Sequence, residues 1–407
     1  MSAVGKLAAP GRGVLSALKL LLVLAAAGSA PAVSQAQPIT TNDAVGRLFQ
    51  EALDPDWFTL SFLEQASVRQ ISTIIGQITG EYGAFVDVTG TGGELVVRLE
   101  RAIMPTLITL DDEGRIAGLF FQPPVPTDAD LAELVEEIAA LPGETSVLVL
   151  TEGEVVAAHQ PDTPLGVGSA FKLAILAALV DEIEAGRRAW DDVVPFDDAW
   201  RSAPSGILQD WPSGVPITLS TLANLMISIS DNTATDALMS VLGRERVEQE
   251  TPRNAPLLTT GELFRLKARA NEEIAAEFVA AGEEGRRAIL AELAATPMPT
   301  TDQLILRPIL EIDWFVSAVE LCALLERVAG TPAFDINPGV ANRADWSEIA
   351  FKGGSEPGIL NFSTLVTAGD GRRHCVIATW NDVAALDDVR MASLYAGLLA
   401  VLAGDGG

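Results

Sequence analysis

Seven residues, Gly166-Val167-Gly168-Ser169-Ala170-Phe171-Lys172, run without a break into Leu173-Ala174-Ile175-Leu176. The apolar continuation predicts a buried helix, with Ser169 in its first turn just after a glycine turn and Lys172 three residues on. Residues at that spacing share a helix face, about one turn apart, so the hydroxyl and the amine project together. A serine hydroxyl is a poor nucleophile at neutral pH and needs a base. A lysine becomes one when desolvation or a neighbouring cation lowers its pKa. The positive end of the helix also favours the alkoxide that develops on the serine. A capping serine followed by a surface lysine has the same spacing, so the pair acquires meaning only from what lies downstream.

Two later stretches supply that context. Ser230-Asp231-Asn232 ends the helical run 219–229, and Lys352-Gly353-Gly354-Ser355 follows the apolar Ile349-Ala350-Phe351. The ordered set resembles the S-x-x-K, S-D-N and K-T-G signature of class A β-lactamases and penicillin-binding proteins. The resemblance implies an α/β catalytic domain of the β-lactamase/transpeptidase type over 128–405, an antiparallel sheet flanked by helices plus an all-helical subdomain. It implies Ser169 as the nucleophile, Lys172 as its base and Ser230 as the shuttle of a proton to the leaving nitrogen or oxygen. Asn232 would bind the substrate's side-chain amide. Lys352 would lower the pKa around Ser230 and attract the substrate carboxylate. Gly354 and Ser355 would lie against the substrate, and the N–H groups of Ser169 and Ser355 would form the oxyanion hole. Trp211, in the loop 204–212, is a candidate wall of the acyl pocket.

Two departures from that signature matter. Gly353 stands where the family usually has Ser or Thr, so one hydroxyl that binds a substrate carboxylate is missing. Class A enzymes also use a loop glutamate to activate the deacylating water. Here only Glu250-Thr251-Pro252-Arg253-Asn254 resembles its E-x-x-x-N, and it follows Asn232 too soon for a full-length loop. Glu250 therefore reads first as a helix-end charge and only second as a candidate deacylation base, whereas Glu262 reads as part of a helix cap. The expectation is easy acylation with slow or non-standard deacylation.

The rest of the chain divides around this region. Residues 1–36 have a basic start (Lys6, Arg12, Lys19), an apolar run 20–27 and a Ser34-Gln35-Ala36 cleavage site, as in a secretory signal. The apolar run is well short of the ~20 residues of a membrane span. Residues 38–122 predict an α+β module with helices near 42–52, 60–65 and 68–79. Strands follow at 84–88, 94–99, 106–110 and 116–121, the last pair joined by a turn at Asp111-Asp112-Glu113-Gly114. Helices on a curved sheet suit a cystatin-like or nuclear-transport-factor-like cone in a packing or positioning role. Pro123–Thr127 reads as a stiff linker, and Asp128 as the start of the next helix. A hairpin over 146–150 and 155–159 then leads to the Ser169 helix. The extra module, a long helical segment 262–293 and the phrases at 312–317 and 351–358 also resemble two-domain serine hydrolases typified by the one encoded in the clavulanic acid biosynthesis cluster.

Composition narrows the function classes. A net charge of −28 repels nucleic acid and anionic membranes. With His159 and His374 the only histidines and Cys322 and Cys375 the only cysteines, no zinc site of the usual ligand types can be assembled; no metal or cofactor is expected. The G-x-S-x-G elbow is missing, which argues against a Ser-His-Asp hydrolase. His159 reads as structural. The two cysteines fit a disulfide in a secreted protein or two buried thiols. The sequence thus points to a secreted or periplasmic, monomeric serine hydrolase of β-lactams or related acyl esters and amides. An esterase or D,D-peptidase, or a covalent penicillin-binding sensor with little turnover, are the alternatives.

Overall fold

The computed structural model describes residues 39–127, 129–203 and 205–404. The expected leader, Asp128 and Pro204 lie outside them. Three helices come first among the described residues: α1 (Thr41–Gln50), α2 (Leu60–Leu63) and α3 (Val68–Tyr82). Ser67 and Gln70 form a reciprocal capping box at the start of α3. Ile71, Ile75, Ile78 and Tyr82 are its buried residues, spaced so that they fall on one stripe. That stripe packs on an antiparallel sheet of β1 (Phe85–Thr91), β2 (Glu94–Leu99), β3 (Ala102–Leu110) and β4 (Ile116–Phe121). Leu95, Val97 and Leu99 of β2 are buried and alternate with exposed residues, the period-two signature of a sheet with one covered face.

The segment 123–127 is not a free linker. Val125–Pro126 form a short β5 that pairs with Ala102–Ile103 of β3. The carbonyl of Pro124 accepts a hydrogen bond from Ser393 Oγ. Extended, proline-rich backbone is already shaped as an edge strand, and here it closes the module's own sheet.

Next come α4 (Leu131–Ala139), capped by Asp130, and the hairpin β6 (Glu144–Thr151) and β7 (Glu154–His159). A short β8 (Leu165–Gly166) leads into a 3₁₀ turn, Gly168–Phe171, and then α5 (Lys172–Glu184). The helical subdomain follows, with a β9 (Val193–Pro195) and β10 (Pro216–Thr218) ribbon ahead of α6 (Leu219–Ser228), α7 (Asn232–Leu242) and α8 (Arg244–Glu248). The expected helix over 262–293 is instead three: α9 (Thr260–Leu266), α10 (Glu272–Ala280) and α11 (Glu283–Leu293). The breaks fall at a 3₁₀ turn, Arg269–Asn271, and at Gly282, which enters α11 with extended backbone; helical periodicity does not reveal such interruptions. β11 (Phe315–Val316) pairs with β8, and α12 (Ala318–Val328) returns the chain to β12 (Glu348–Glu356), β13 (Ile359–Thr367), β14 (Arg373–Asn381) and α13 (Asp388–Gly404).

The main sheet runs β12-β13-β14-β6-β7, all antiparallel. Its inner strands β13, β14 and β6 are buried on both faces, whereas the edge strand β7 is largely exposed. Leu148, Cys375 and Ile377 belong to the core around α5 and α12, whereas Val147, Val149, Val376 and Ala378 belong to the core under α4 and α13. The alternation sorts side chains to opposite faces. Residues 172–180 of α5 are all buried, as befits a helix apolar on every side.

Cys322 of α12 and Cys375 of β14 form a disulfide across 53 residues of chain, resolving the two readings of the cysteines. Reduction, or Cys322→Ser, removes a cross-link worth about 2–4 kcal/mol. Thermal melts with and without reductant should show a clear loss of Tm that the Ser variant reproduces without reductant.

Candidate active site

The S-x-x-K residues sit where a strand, a tight turn and a helix meet. Gly168 has φ +49, a conformation open to glycine at little cost. Gly354 of β12 lies so close to the turn that a β-carbon there would stand 2.5 Å from Ser169 N and 2.0 Å from the Val167 carbonyl. Only glycine fits, and its fit sets Ser355 alongside Gly168, whose own β-carbon position would be 3.1 Å from Ser355 N. The two backbone groups expected to form the oxyanion hole are therefore brought together.

Because α5 is buried all round, Lys172 at its start is fully buried. Its Nζ donates to the Ser230 carbonyl at 2.7 Å, to Ser230 Oγ at 2.9 Å and to Asn232 Oδ1 at 2.7 Å. Lys352, also buried, donates to the same Ser230 Oγ at 3.1 Å and to the Gly353 carbonyl at 2.6 Å. Ser230 is thus a hydroxyl bridge between two lysines. Burial, and then the charge of Lys352, hold the Lys172 ammonium well below its ordinary pKa. Burial alone brings Lys352 down to about 7. Burial thus favours the neutral form of both amines, the direction that a base for Ser169 and a relay through Ser230 require.

The Ser230 turn is held from both sides. Ser230 has φ +57, a left-handed conformation that a non-glycine residue keeps only when its surroundings enforce it. Asp231, at the N-cap of α7, accepts from Ala234 N at 2.8 Å through one oxygen. Its other oxygen takes Ile207 N at 2.7 Å and Leu208 N at 2.8 Å. Ser205 Oγ donates to the Ser230 carbonyl at 2.7 Å. The loop 205–208 is thereby stitched to the turn. On the far side, buried Asp236 accepts from Thr260 N and Gly261 N at 2.7 and 2.8 Å, and burial raises its pKa to about 6. The Thr260 hydroxyl also reaches the Asn232 carbonyl at 3.2 Å.

The nucleophile's turn has a clamp that the motifs did not announce. Asn381 of β14 accepts from Gly166 N and donates to the Gly166 carbonyl. Trp314 accepts from Val167 N through its carbonyl and stacks on Phe171 at 3.7 Å between ring centroids. Asp313 Oδ1 accepts from Gly168 N at 2.8 Å. Its Oδ2 is buried without a hydrogen bond, 4.0 Å from Lys267 Nζ. Burial, partly offset by Lys267, raises the Asp313 pKa to about 6. Lys267 in turn pairs with Glu356 at 2.7 Å. The phrase at 312–317 marked this region in the sequence, but pairing with residues 145 positions away has no local signal.

These groups open onto a cavity of about 620 Å3, lined among others by Ser169, Ser230, Asn232, Lys352, Gly354 and Ser355. Two expected residues are elsewhere. Trp211 does not line the cavity; it packs against the apolar core, and its carbonyl accepts from Arg201. Glu250 also lies outside it, fixed between Arg246 and Arg327 with its side chain 8% exposed. Held by two arginines outside the cavity, its carboxylate is not placed beside Ser169. Glu356 is the one carboxylate among the described residues that line the cavity. Glu262 caps α9 as expected, in a box with Thr259, and pairs with Arg244. His159 sits on β7 beside Gln160, away from the cavity. Among the described residues no group of His, Cys, Asp and Glu is arranged to hold a metal ion, and no helix is long and apolar enough to cross a membrane.

The model of the family described as "Beta-lactamase enzyme family" matches residues 127–276, a segment that carries Ser169, Lys172, Ser230 and Asn232 and stops before Lys352. None of the curated proteins matches the chain. Among solved structures, a β-lactamase from Sphaerobacter thermophilus is 21% identical, with 67% of this chain and 95% of that one covered and a TM-score of 0.46. A β-lactamase from Chitinophaga pinensis is 17% identical over 67% and 98%, with a TM-score of 0.45. A protein named PBP-A is 16% identical over 70% and 100%, also at 0.45. None of these matches supports a cystatin-like or nuclear-transport-factor-like identity for residues 38–122, or the narrower likeness to the clavulanic acid cluster protein.

Two outcomes follow from the geometry. Lys352 binds fewer protons folded than unfolded between its folded pKa of about 7 and its ordinary 10.5, so it makes stability rise with pH across that window and fall as pH drops through it. Lys352→Met should flatten the Tm-against-pH slope between those limits. Glu250→Gln should lower Tm through its two arginines yet leave acylation and deacylation rates within about twofold of the parent.

Proposed function

We propose that the protein is a serine hydrolase that works through an acyl-enzyme on Ser169, acting on β-lactams or related acyl esters and amides. The observation that carries this reading is the fully buried Lys172, hydrogen-bonded to Ser230 and Asn232 and one helical turn from Ser169. In the proposed sequence the Lys172 amine accepts the Ser169 proton as Oγ attacks the acyl carbon. Ser169 N and Ser355 N stabilise the oxyanion, and Ser230, backed by Lys352, returns a proton to the leaving nitrogen or oxygen. Asn232 and the Gly354–Ser355 edge hold the substrate. Water then releases the acid.

Deacylation is the slow half of this scheme, because Glu250 is committed to Arg246 and Arg327. That commitment also favours, as a second reading, a penicillin-binding or sensor module with little turnover. The esterase and D,D-peptidase alternatives gain from Gly353, which offers no hydroxyl to a substrate carboxylate. The secretory-like leader supports a secreted or periplasmic site, and the strong negative charge disfavours nucleic acid and membrane partners. We take the division into a module at 38–122 and a catalytic unit at 128–405, and a monomeric state, as part of the same proposal.

Intact-mass spectrometry after mixing with benzylpenicillin should show a single acyl adduct on Ser169, absent in Ser169→Ala. Continued labelling of the Ala variant would sink the assignment. Lys172→Met should slow acylation by about 10²–10⁴, the usual worth of a positioned base.

A further inference from the structure

Two exposed aliphatics from separate segments, Ile229 (41% exposed) and Leu306 (56%), line the cavity. Single exposed aliphatics are ordinary, but exposed ones that continue an apolar cavity wall mark a surface suited to an apolar ligand. Inside, Phe264, Leu304, Ile305, Phe351 and Phe362 continue the apolar wall.

The polar side of the cavity has little to offer an anion. Its cations among the described lining residues are Lys267 and Lys352. Lys267 is held by Glu356, with Asp313 beyond it. Lys352 is spent on Ser230 Oγ and the Gly353 carbonyl. Glu356 adds a negative charge to the same wall, in a chain that already carries −28. A substrate carboxylate would have to displace an existing partner, whereas a hydrocarbon chain would only displace water.

We propose that the substrates this site takes best are neutral esters with a hydrocarbon acyl chain, the chain lying on the apolar wall. The cavity of about 620 Å3 falls within the ~300–1,000 Å3 of small-molecule sites. This rests on the acyl-enzyme reading above. Ser169 Oγ bonds to the acyl carbon and its proton passes to the Lys172 amine. The ester C–O bond breaks, and the alcohol departs with a proton delivered through Ser230. A water molecule then splits the acyl-serine to the free fatty acid and regenerates the hydroxyl.

The test uses the full mature chain with p-nitrophenyl acetate, butanoate, hexanoate and octanoate, reading both nitrophenol release and the acyl mass on Ser169. The acylation rate constant over KM should rise about twofold to fourfold for each added methylene, the range for partial to full burial of a CH₂. Leu306→Asp, at an exposed position where folding is not at stake, should flatten that rise, with Tm checked alongside. Benzylpenicillin methyl ester should acylate Ser169 faster than benzylpenicillin itself. A flat or falling chain-length series with Ser169 still acylated by the acetate would overturn this inference and leave the acyl-enzyme mechanism standing. So would a free acid that outpaces its methyl ester. No acyl adduct on Ser169 from any of these compounds would remove both.

Discussion

The arrangement around Ser169 answers to one constraint, an amine buried inside an apolar helix. Residues 172–180 leave α5 no solvent face, so the Lys172 ammonium cannot reach water. A buried charge without partners costs far more than the net stability of a domain can bear. The protein meets this in two ways. Three acceptors, the Ser230 carbonyl, Ser230 Oγ and Asn232 Oδ1, close around the nitrogen, and the same burial favours the neutral amine. The group that folding must satisfy is then the group that a serine nucleophile needs.

Satisfying it requires Ser230 in a conformation that a serine avoids. The left-handed φ of Ser230 turns both its carbonyl and its hydroxyl toward Lys172. Asp231 supplies the restraint, with two carboxylate oxygens anchoring the start of α7 and the loop 205–208 at once. Asp236 and Thr260 brace the next turn of the same helix. Strain at the site is thus held by hydrogen bonds made by neighbours that never touch a reacting atom.

That division explains what the sequence could disclose. The chemistry-bearing residues are adjacent to one another in short motifs, each at a helix start or a strand, so Ser169, Lys172, Ser230, Asn232 and Lys352 were legible from residue order. The N-terminal strands and helices were also legible, because β2 alternates and α3 carries a stripe. What was not legible is everything that acts between segments. Asp313 and Asn381 grip the Ser169 turn from 145 and 215 residues away, and a carboxylate in an apolar run shows no partner in the sequence. Trp211 and Glu250 failed for the opposite reason: they lie near motif residues in the chain, but local packing and two arginines turn them elsewhere. The break at Gly282 was hidden because helices on either side share similar composition.

The main sheet also decides what the N-terminal module can do. Its β6 and β14 side chains alternate between the core of α5 and α12 on one face and that of α4 and α13 on the other. The module meets the second face. Tyr82 Oη donates to Ser393 Oγ of α13, Ser393 donates to the Pro124 carbonyl, and Arg390 pairs with Glu81. Ser169 leads into α5 on the first face, whereas the cavity also takes Leu360 and Phe362 from the second-face core; among the described residues none before Ser169 lines it. From α13, the Tyr395 hydroxyl is hydrogen-bonded to Thr364 of β13 and to the Val376 carbonyl of β14, and its ring stacks on Phe362, which lines the cavity. A close-packed, hydrogen-bonded layer of that kind transmits position rather than chemistry: the module touches α13, α13 touches the cavity wall, and among the described residues the module places no side chain of its own in the cavity lining.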